Sequence, residues 1–207
     1  MSSVVDICNL ALSHLGDTAT VSSIDPPEGS AQAEHCARFY PMARNTILEA
    51  HPWSFATTRK ALVELSSPEP PASWAYIYGY PNLCIRPLLL LQPETTDETT
   101  GEDFIVEETE GGVRVIYTNI ENATLRYIFE QADPGRYSQL FVNALARLLA
   151  SYLAGPVIKG TEGARVGAAH LKLYEEVDLP RAKAADSMGR QKALYDKFQP
   201  AALKARV

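Results

Sequence analysis

A helix that carries one proline in its middle and is stopped by a second constrains this chain more than any other feature. Within residues 30–65, Ala33, Ala37, Tyr40, Arg44, Ile47 and Leu48 recur three or four positions apart, so they share one helical face. Ser30 is placed to cap the start, because a serine hydroxyl accepts from an otherwise unpaired backbone N–H. Pro41 removes a backbone donor and crowds the carbonyl of Ala37, at a cost of roughly 3 kcal/mol in an ordinary helix interior. It predicts a kink held by neighbouring structure. Pro52 drives His51 out of the helical region, so the helix ends near His51. Trp53 and Phe55 then open an extended segment running to Leu65.

Before this stretch, Val4, Ile7, Ala11 and Leu15 make one stripe, widened by Cys8 and Leu12, and predict a helix over 3–15. Ser3 with Asp6 reads as a capping box, and Gly16 as its terminator. Residues 17–29, with Pro26 and Pro27, form a stiff connection.

After it the period changes to two. Trp74, Tyr76, Tyr78 and Tyr80 alternate with Ala75, Ile77 and Gly79, which predicts a strand with all four aromatics on one core-facing side. Residues 88–91 are a short apolar run, and 92–103 an acidic, solvated loop. Strands are predicted over 104–109 and 113–118, with Gly111-Gly112 as the hairpin turn, and over 123–130. Asp133-Pro134-Gly135 ends the β region. A helix over 138–154 is apolar round most of its circumference and must be buried by several neighbours, with Gly155-Pro156 ending it. A last helix over 160–177 puts Val166, Ala169, Leu173 and Val177 inward, and Pro180 interrupts it.

The expected fold class is α+β. Residues 1–54 and 133–180 form a bundle of about four helices, and 55–132 an inserted small antiparallel β unit. Residues 181–207 form an extended basic tail. There Arg181, Lys183, Arg190, Lys192, Lys197, Lys204 and Arg206 face only Asp186 and Asp196, with apolar points too sparse to offset ordering entropy. Such a segment is expected to order on a partner.

Chemistry is harder to find. With 46% hydrophobic and 21% charged residues, the 207-residue chain has the composition of a globular protein with a core. It shows no run of about 18 apolar residues and no signal-peptide pattern, so a cytosolic setting without membrane contact is expected. A net charge of −6 argues against a dedicated DNA-binding domain. Cys8, Cys36 and Cys84 are widely spaced and read as buried thiols. His14, His35, His51 and His170 have no i, i+4 pairing, and adjacent His35 and Cys36 point to different helix faces. No nucleophile elbow or phosphate-cradling loop is present, so no catalytic, cofactor or metal site is expected.

The order of these signals resembles a known family. A short capped helix is followed by a long helix with Y-P-x-A-R, a P-W-x-F-A exit, a β insertion and an alanine- and leucine-rich helix. This layout is similar to the head-to-tail adaptor proteins of short-tailed bacteriophages, the tail tubular protein A type. The matching residues are Tyr40, Pro41, Ala43, Arg44, Pro52, Trp53, Phe55 and Ala56. The resemblance implies a virion protein of the phage neck, made in the host cytoplasm. It implies a closed ring of about twelve copies between the portal protein and the tail nozzle protein. That ring would retain packaged genomic DNA and pass it at ejection without sequence-specific binding. Arg181, Lys183, Arg190, Lys192, Tyr195, Lys197 and Phe198 are then candidates for portal contact. Glu94, Asp97, Glu98, Glu102 and Asp103 are candidates for the channel lining or nozzle contact, since acidic walls do not bind DNA. Two other classes fit the residues: a small oligomeric binding module using the aromatic strand, and a cytosolic enzyme with a reactive Cys or His.

Overall fold

A computed structural model describes residues 2–93, 95 and 101–189. The chain is α+β, as the residue pattern predicts. Helix α1 spans Val4–His14 and is capped by the Ser3–Asp6 box in both directions. Gly16 follows with a φ of 74°, a left-handed conformation that glycine adopts at low cost. Helix α2, Ala31–Glu49, takes its cap from Ser30 and runs unbroken through Pro41, whose ring is exposed. Its inner face is Ala33, Cys36, Tyr40, Ala43, Arg44, Ile47 and Leu48.

The chain then makes a 3-10 turn at Ser54–Ala56 and enters six strands: β1 Thr57–Ala61, β2 Tyr76–Gly79, β3 Cys84–Leu91, β4 Phe104–Glu108, β5 Arg114–Thr118 and β6 Thr124–Phe129. They form two three-stranded antiparallel sheets, ordered β1-β6-β3 and β2-β5-β4. Gly112, at a φ of 72°, makes the β4–β5 turn that Gly111-Gly112 predicts. Tyr78 and Ile116 of the second sheet share a buried cluster with Leu90, Leu125 and Tyr127 of the first. On its other side the first sheet puts Ile128, Ile85 and Leu88 against the helices. It is therefore the middle layer between the bundle and the second sheet. Trp74 departs from the predicted row of four aromatics. It precedes β2 and packs with Ile77, Val115 and Tyr117, while Tyr76, Tyr78 and Tyr80 join the other cluster. Alternation holds only while the backbone is extended, and Trp74 lies between the turn at Ala72-Ser73 and a bend at Ala75, before the strand begins.

Helix α3, Gln139–Ile158, starts at the Ser138 cap and runs past Gly155-Pro156. A proline in the last turn forfeits one hydrogen bond, and packing along the rest of α3 outweighs that loss. The helix stops instead at Lys159 and Gly160, whose φ values of 64° and 61° turn the chain. At 20 residues α3 is long and apolar enough by length and composition to cross a membrane, but most of its apolar side chains lie inside the bundle, Leu140 being an exposed exception. Helix α4, Gly160–Leu173, continues through a π turn at Tyr174–Asp178 into α5, Leu179–Met188. Pro180 therefore does not interrupt the rod. It sits in the first turn of α5, directly after a π turn that has already broken the i→i+4 ladder.

The buried face of α4 also differs from prediction. Gly163 and Gly167 are buried, while Ala169 and Leu173 are exposed. A Cβ on Gly163 would lie 2.8 Å from the Ala154 carbonyl oxygen, and one on Gly167 2.9 Å from that of Ser151. The α4 backbone rests directly on α3, so the glycines form the contact. One apolar cluster joins Ile7 and Leu12 of α1, Ile47 of α2, Phe141 and Leu149 of α3, Tyr174 and Ala182. Early and late helices thus share a single interior, with the β strands inserted between them in sequence.

Candidate interaction surfaces

The motif residues gather where the bundle meets the β layer. Trp53 is fully buried, and its Nε1–H donates to the Ile47 carbonyl at 2.7 Å, satisfying one orphan acceptor at the end of α2. Phe141 meets both Trp53 and Phe55 edge to face at ring separations of 4.9 Å. The Arg44 guanidinium, 8% exposed, pairs with the Glu130 carboxylate just after β6. The motif thus ties helix, turn and sheet into one joint.

A second tie comes from α5. Asp186 accepts from the Ser54 amide at 3.0 Å and the Ser54 hydroxyl at 2.6 Å, and lies 3.2 Å from His51 Nε2. Ser, His and Asp meet here, with Asp186 touching both of the others. The contact holds α5 against the exit of α2. With Ala182 buried, it corrects the expectation of a tail beginning at residue 181: the described chain stays helical to Met188. Apolar counting missed this because the anchors are a small alanine and a carboxylate.

Among the expected portal-contact residues, Arg181 is exposed and Lys183 half-buried on α5. Arg190, Lys192, Tyr195, Lys197 and Phe198 lie outside the described residues. Of the acidic set, Glu102 accepts from the Gln92 amide at 2.8 Å beside the end of β3, and Asp103 is exposed before β4. Glu94, Asp97 and Glu98 lie outside the described residues.

Two polar contacts, one half-buried and one buried, gave no sequence signal, because each joins residues distant in the chain. His14 at the end of α1 faces His170 of α4, with ring centroids 6.1 Å apart. Arg147 reaches His170 Nδ1 at 3.2 Å and Asp178 at 3.1 Å. Burial first, then the Arg147 charge, hold both imidazoles below the usual histidine range. The unfolded chain therefore takes up these protons before the folded one does. Stability from this contact is complete above about pH 6.5 and falls as the pH drops below it. The urea midpoint is expected to fall between pH 7.5 and pH 5.5, and to fall less in a His14→Gln/His170→Gln variant.

Cys8 and Cys36, 28 positions apart in sequence, meet inside the bundle. A hydrogen bond to Cys36, then burial, hold the Cys8 thiol protonated. Native protein is expected to react slowly with a thiol reagent at Cys8, and to react fully once unfolded by urea. Rapid native labelling would favour the enzyme reading.

Two surface depressions complete the picture. A groove of about 720 Å³ lies between the start of α1, residues 22–27 and α2, with Tyr40, Pro41 and Arg44 in its wall. A smaller one of about 430 Å³ runs beside β1, lined by Ser54, Thr57, Thr58, Arg59 and Arg126. Charge is segregated around them. Arg59 and Arg126, paired across β1 and β6, line the depression with Ser54, which bonds Asp186 of α5, and Lys60 follows in β1. Glu102, Asp103, Glu107, Glu108 and Glu110 run along β4 and its turn, with Arg114 opposite Glu108. No group of three or more His, Cys, Asp or Glu among the described residues is placed to hold a metal ion.

The class these features define is a helical bundle bearing a two-sheet β unit, with oppositely charged surfaces on its strands. Comparison with protein-family models and with curated proteins finds no match to the chain.

Proposed function

We propose that the chain is a head-to-tail adaptor of a short-tailed bacteriophage. About twelve copies form a ring between portal and tail nozzle, retain the packaged DNA and pass it at ejection. The observation that carries this reading is the ordered motif Tyr40-Pro41-x-Ala43-Arg44 and Pro52-Trp53-x-Phe55-Ala56, set between a capped helix and a β insertion whose chain returns to the same bundle. The division of charge supports it. A basic end, from Arg181 and Lys183 through Arg190, Lys192 and Lys197 to Lys204 and Arg206, suits an acidic portal surface. An acidic β4 region suits a wall along which DNA slides.

The test is assembly on portal rings purified from the same virus. Wild-type protein is expected to form a second ring seen by electron microscopy. Deletion of residues 190–207 is expected to abolish that ring while leaving the thermal transition of the body unchanged. Absence of any ring with the intact chain would remove the reading.

A further inference from the structure

Helices α4 and α5 form one rod interrupted by the π turn at Tyr174–Asp178. A π turn opens the i→i+4 ladder and is a place where a helix can bend. Both ends of the rod are pinned. Gly163 and Gly167 lie on the α3 backbone at one end, and Asp186 holds the Ser54 amide and hydroxyl at the other. Between those pins Arg147 of α3 reaches both sides of the turn. Its Nη1 lies 3.2 Å from Nδ1 of His170, in the last turn of α4. Its Nε donates to Asp178, the last residue of the π turn, at 3.1 Å.

A guanidinium has donors only, so the contact with His170 needs a lone pair on Nδ1. The imidazole is therefore neutral and carries its proton on Nε2. Adding a proton at Nδ1 removes the acceptor and sets two cations side by side. The groups facing His170 add to that repulsion. His14 of α1 lies across from it, with ring centroids 6.1 Å apart, and a proton there repels both His170 and Arg147. Asp178 is the carboxylate beside the cluster, and Arg147 already binds it. On the exposed side of the rod Lys172 pairs with Glu176 at 3.9 Å. At the far pin the sign is opposite. His51 Nε2 lies 3.2 Å from Asp186, so a proton on His51 strengthens that contact.

We propose that Arg147 is an acid-released clasp across the π turn. Protonation of His170 breaks its bond to Arg147 and frees the last turn of α4, while Arg147 keeps Asp178 and α5 stays on Ser54. The rod then opens at its middle, next to the end of α1, and not along its whole length. The opened state takes up the proton first, so opening is favoured as the pH falls below about 6.5, the ordinary histidine value. A general loss of stability would instead loosen every segment by the same factor.

The experiment is amide hydrogen exchange of the full-length chain, read by mass spectrometry at pH 7.5 and pH 5.5 and corrected for the intrinsic pH dependence of exchange. His170→Asn places a carbonyl oxygen, which does not titrate, near the position of Nδ1; His14→Gln leaves His170 in place. In the wild-type chain, corrected exchange over residues 166–173 and 12–15 is expected to rise roughly tenfold at pH 5.5, with less than about a twofold change over α5 and β5. In His170→Asn the rise is expected to vanish, and in His14→Gln to persist. No rise over residues 166–173, an equal rise in all segments, a rise that persists in His170→Asn, or one abolished by His14→Gln alone overturns the clasp. Should His170→Asn fail to fold, NMR of the wild-type ring nitrogens decides. A proton on Nε2 of His170 at pH 7.5, with protonation of the ring coincident with the rise in exchange, supports the clasp. A proton on Nδ1 at that pH, or protonation that does not track the exchange, overturns it.

Discussion

Replacing Trp53 with alanine is expected to destabilise the protein by about 3–5 kcal/mol, the usual cost of deleting a large buried aromatic. Trp53 has no exposed surface, packs against His51, Phe55 and Phe141, and donates its indole N–H to the Ile47 carbonyl. The cavity would open at the joint of α2, α3 and the first turn of the β unit, so neither layer can relax into it alone. Total stability of a domain is typically about 5–15 kcal/mol, so this change removes a large part of it. A fall in Tm of roughly 10 °C or more is expected by calorimetry. Trp53→Phe separates the two contributions: it keeps most of the ring packing and leaves the Ile47 carbonyl without its donor. It should lose less, on the order of 1–3 kcal/mol. Equal losses for the two variants would show that the hydrogen bond, not the packing, carries the effect.

The second large effect comes from the glycines of α4. Gly163→Ala/Gly167→Ala places two methyl groups 2.8 Å and 2.9 Å from carbonyl oxygens of α3. Backbone cannot swing aside as a long side chain can, so α4 must lift off α3. Alanine restores up to about 1 kcal/mol of helix propensity per site, but overpacking of this kind costs about 1–3 kcal/mol at each. The double variant is expected to lose about 2–4 kcal/mol net. Gly155→Ala in α3 is the internal contrast. Outside its chain neighbours and its own helix backbone no atom lies within 4 Å of a Cβ built there, so the gain in helix propensity is opposed only by crowding against Pro156, and the same substitution should stabilise by no more than about 0.5–1 kcal/mol. Chemical denaturation of the three variants reads both signs. A stabilised Gly163→Ala/Gly167→Ala variant would show that α4 does not pack on α3 through its backbone.

These glycines also show where sequence reading stopped. Hydropathy placed Val166, Ala169, Leu173 and Val177 inward because it scores side chains, and a glycine in direct backbone contact has none to score. Leu173 is 44% exposed, and Gly163 is buried. Prolines failed in the same way. Pro156 and Pro180 read as stops because each forfeits a hydrogen bond, but both fall near helix ends where little is lost and packing decides. Of the candidate surfaces, the charged residues of β4 and α5 were legible one by one. Their arrangement was not. Nothing in the order of residues places Arg126 opposite Arg59, Asp186 on Ser54, or His14 against His170.

By itself the sequence determined where elements begin and how the chain turns. The Ser3, Ser30 and Ser138 caps, the Gly16 and Gly112 turns and the exit at Pro52 all follow from covalent geometry and hydrogen bonds within a few residues. It also determined the α+β class, because periods of 3.6 and 2 are local properties. Only the tertiary structure decided which face of α4 lies inside, which histidines meet, and which strands remain at the edges. Those outcomes are set by free-energy differences between packings of distant segments, and no local window of residues contains both partners.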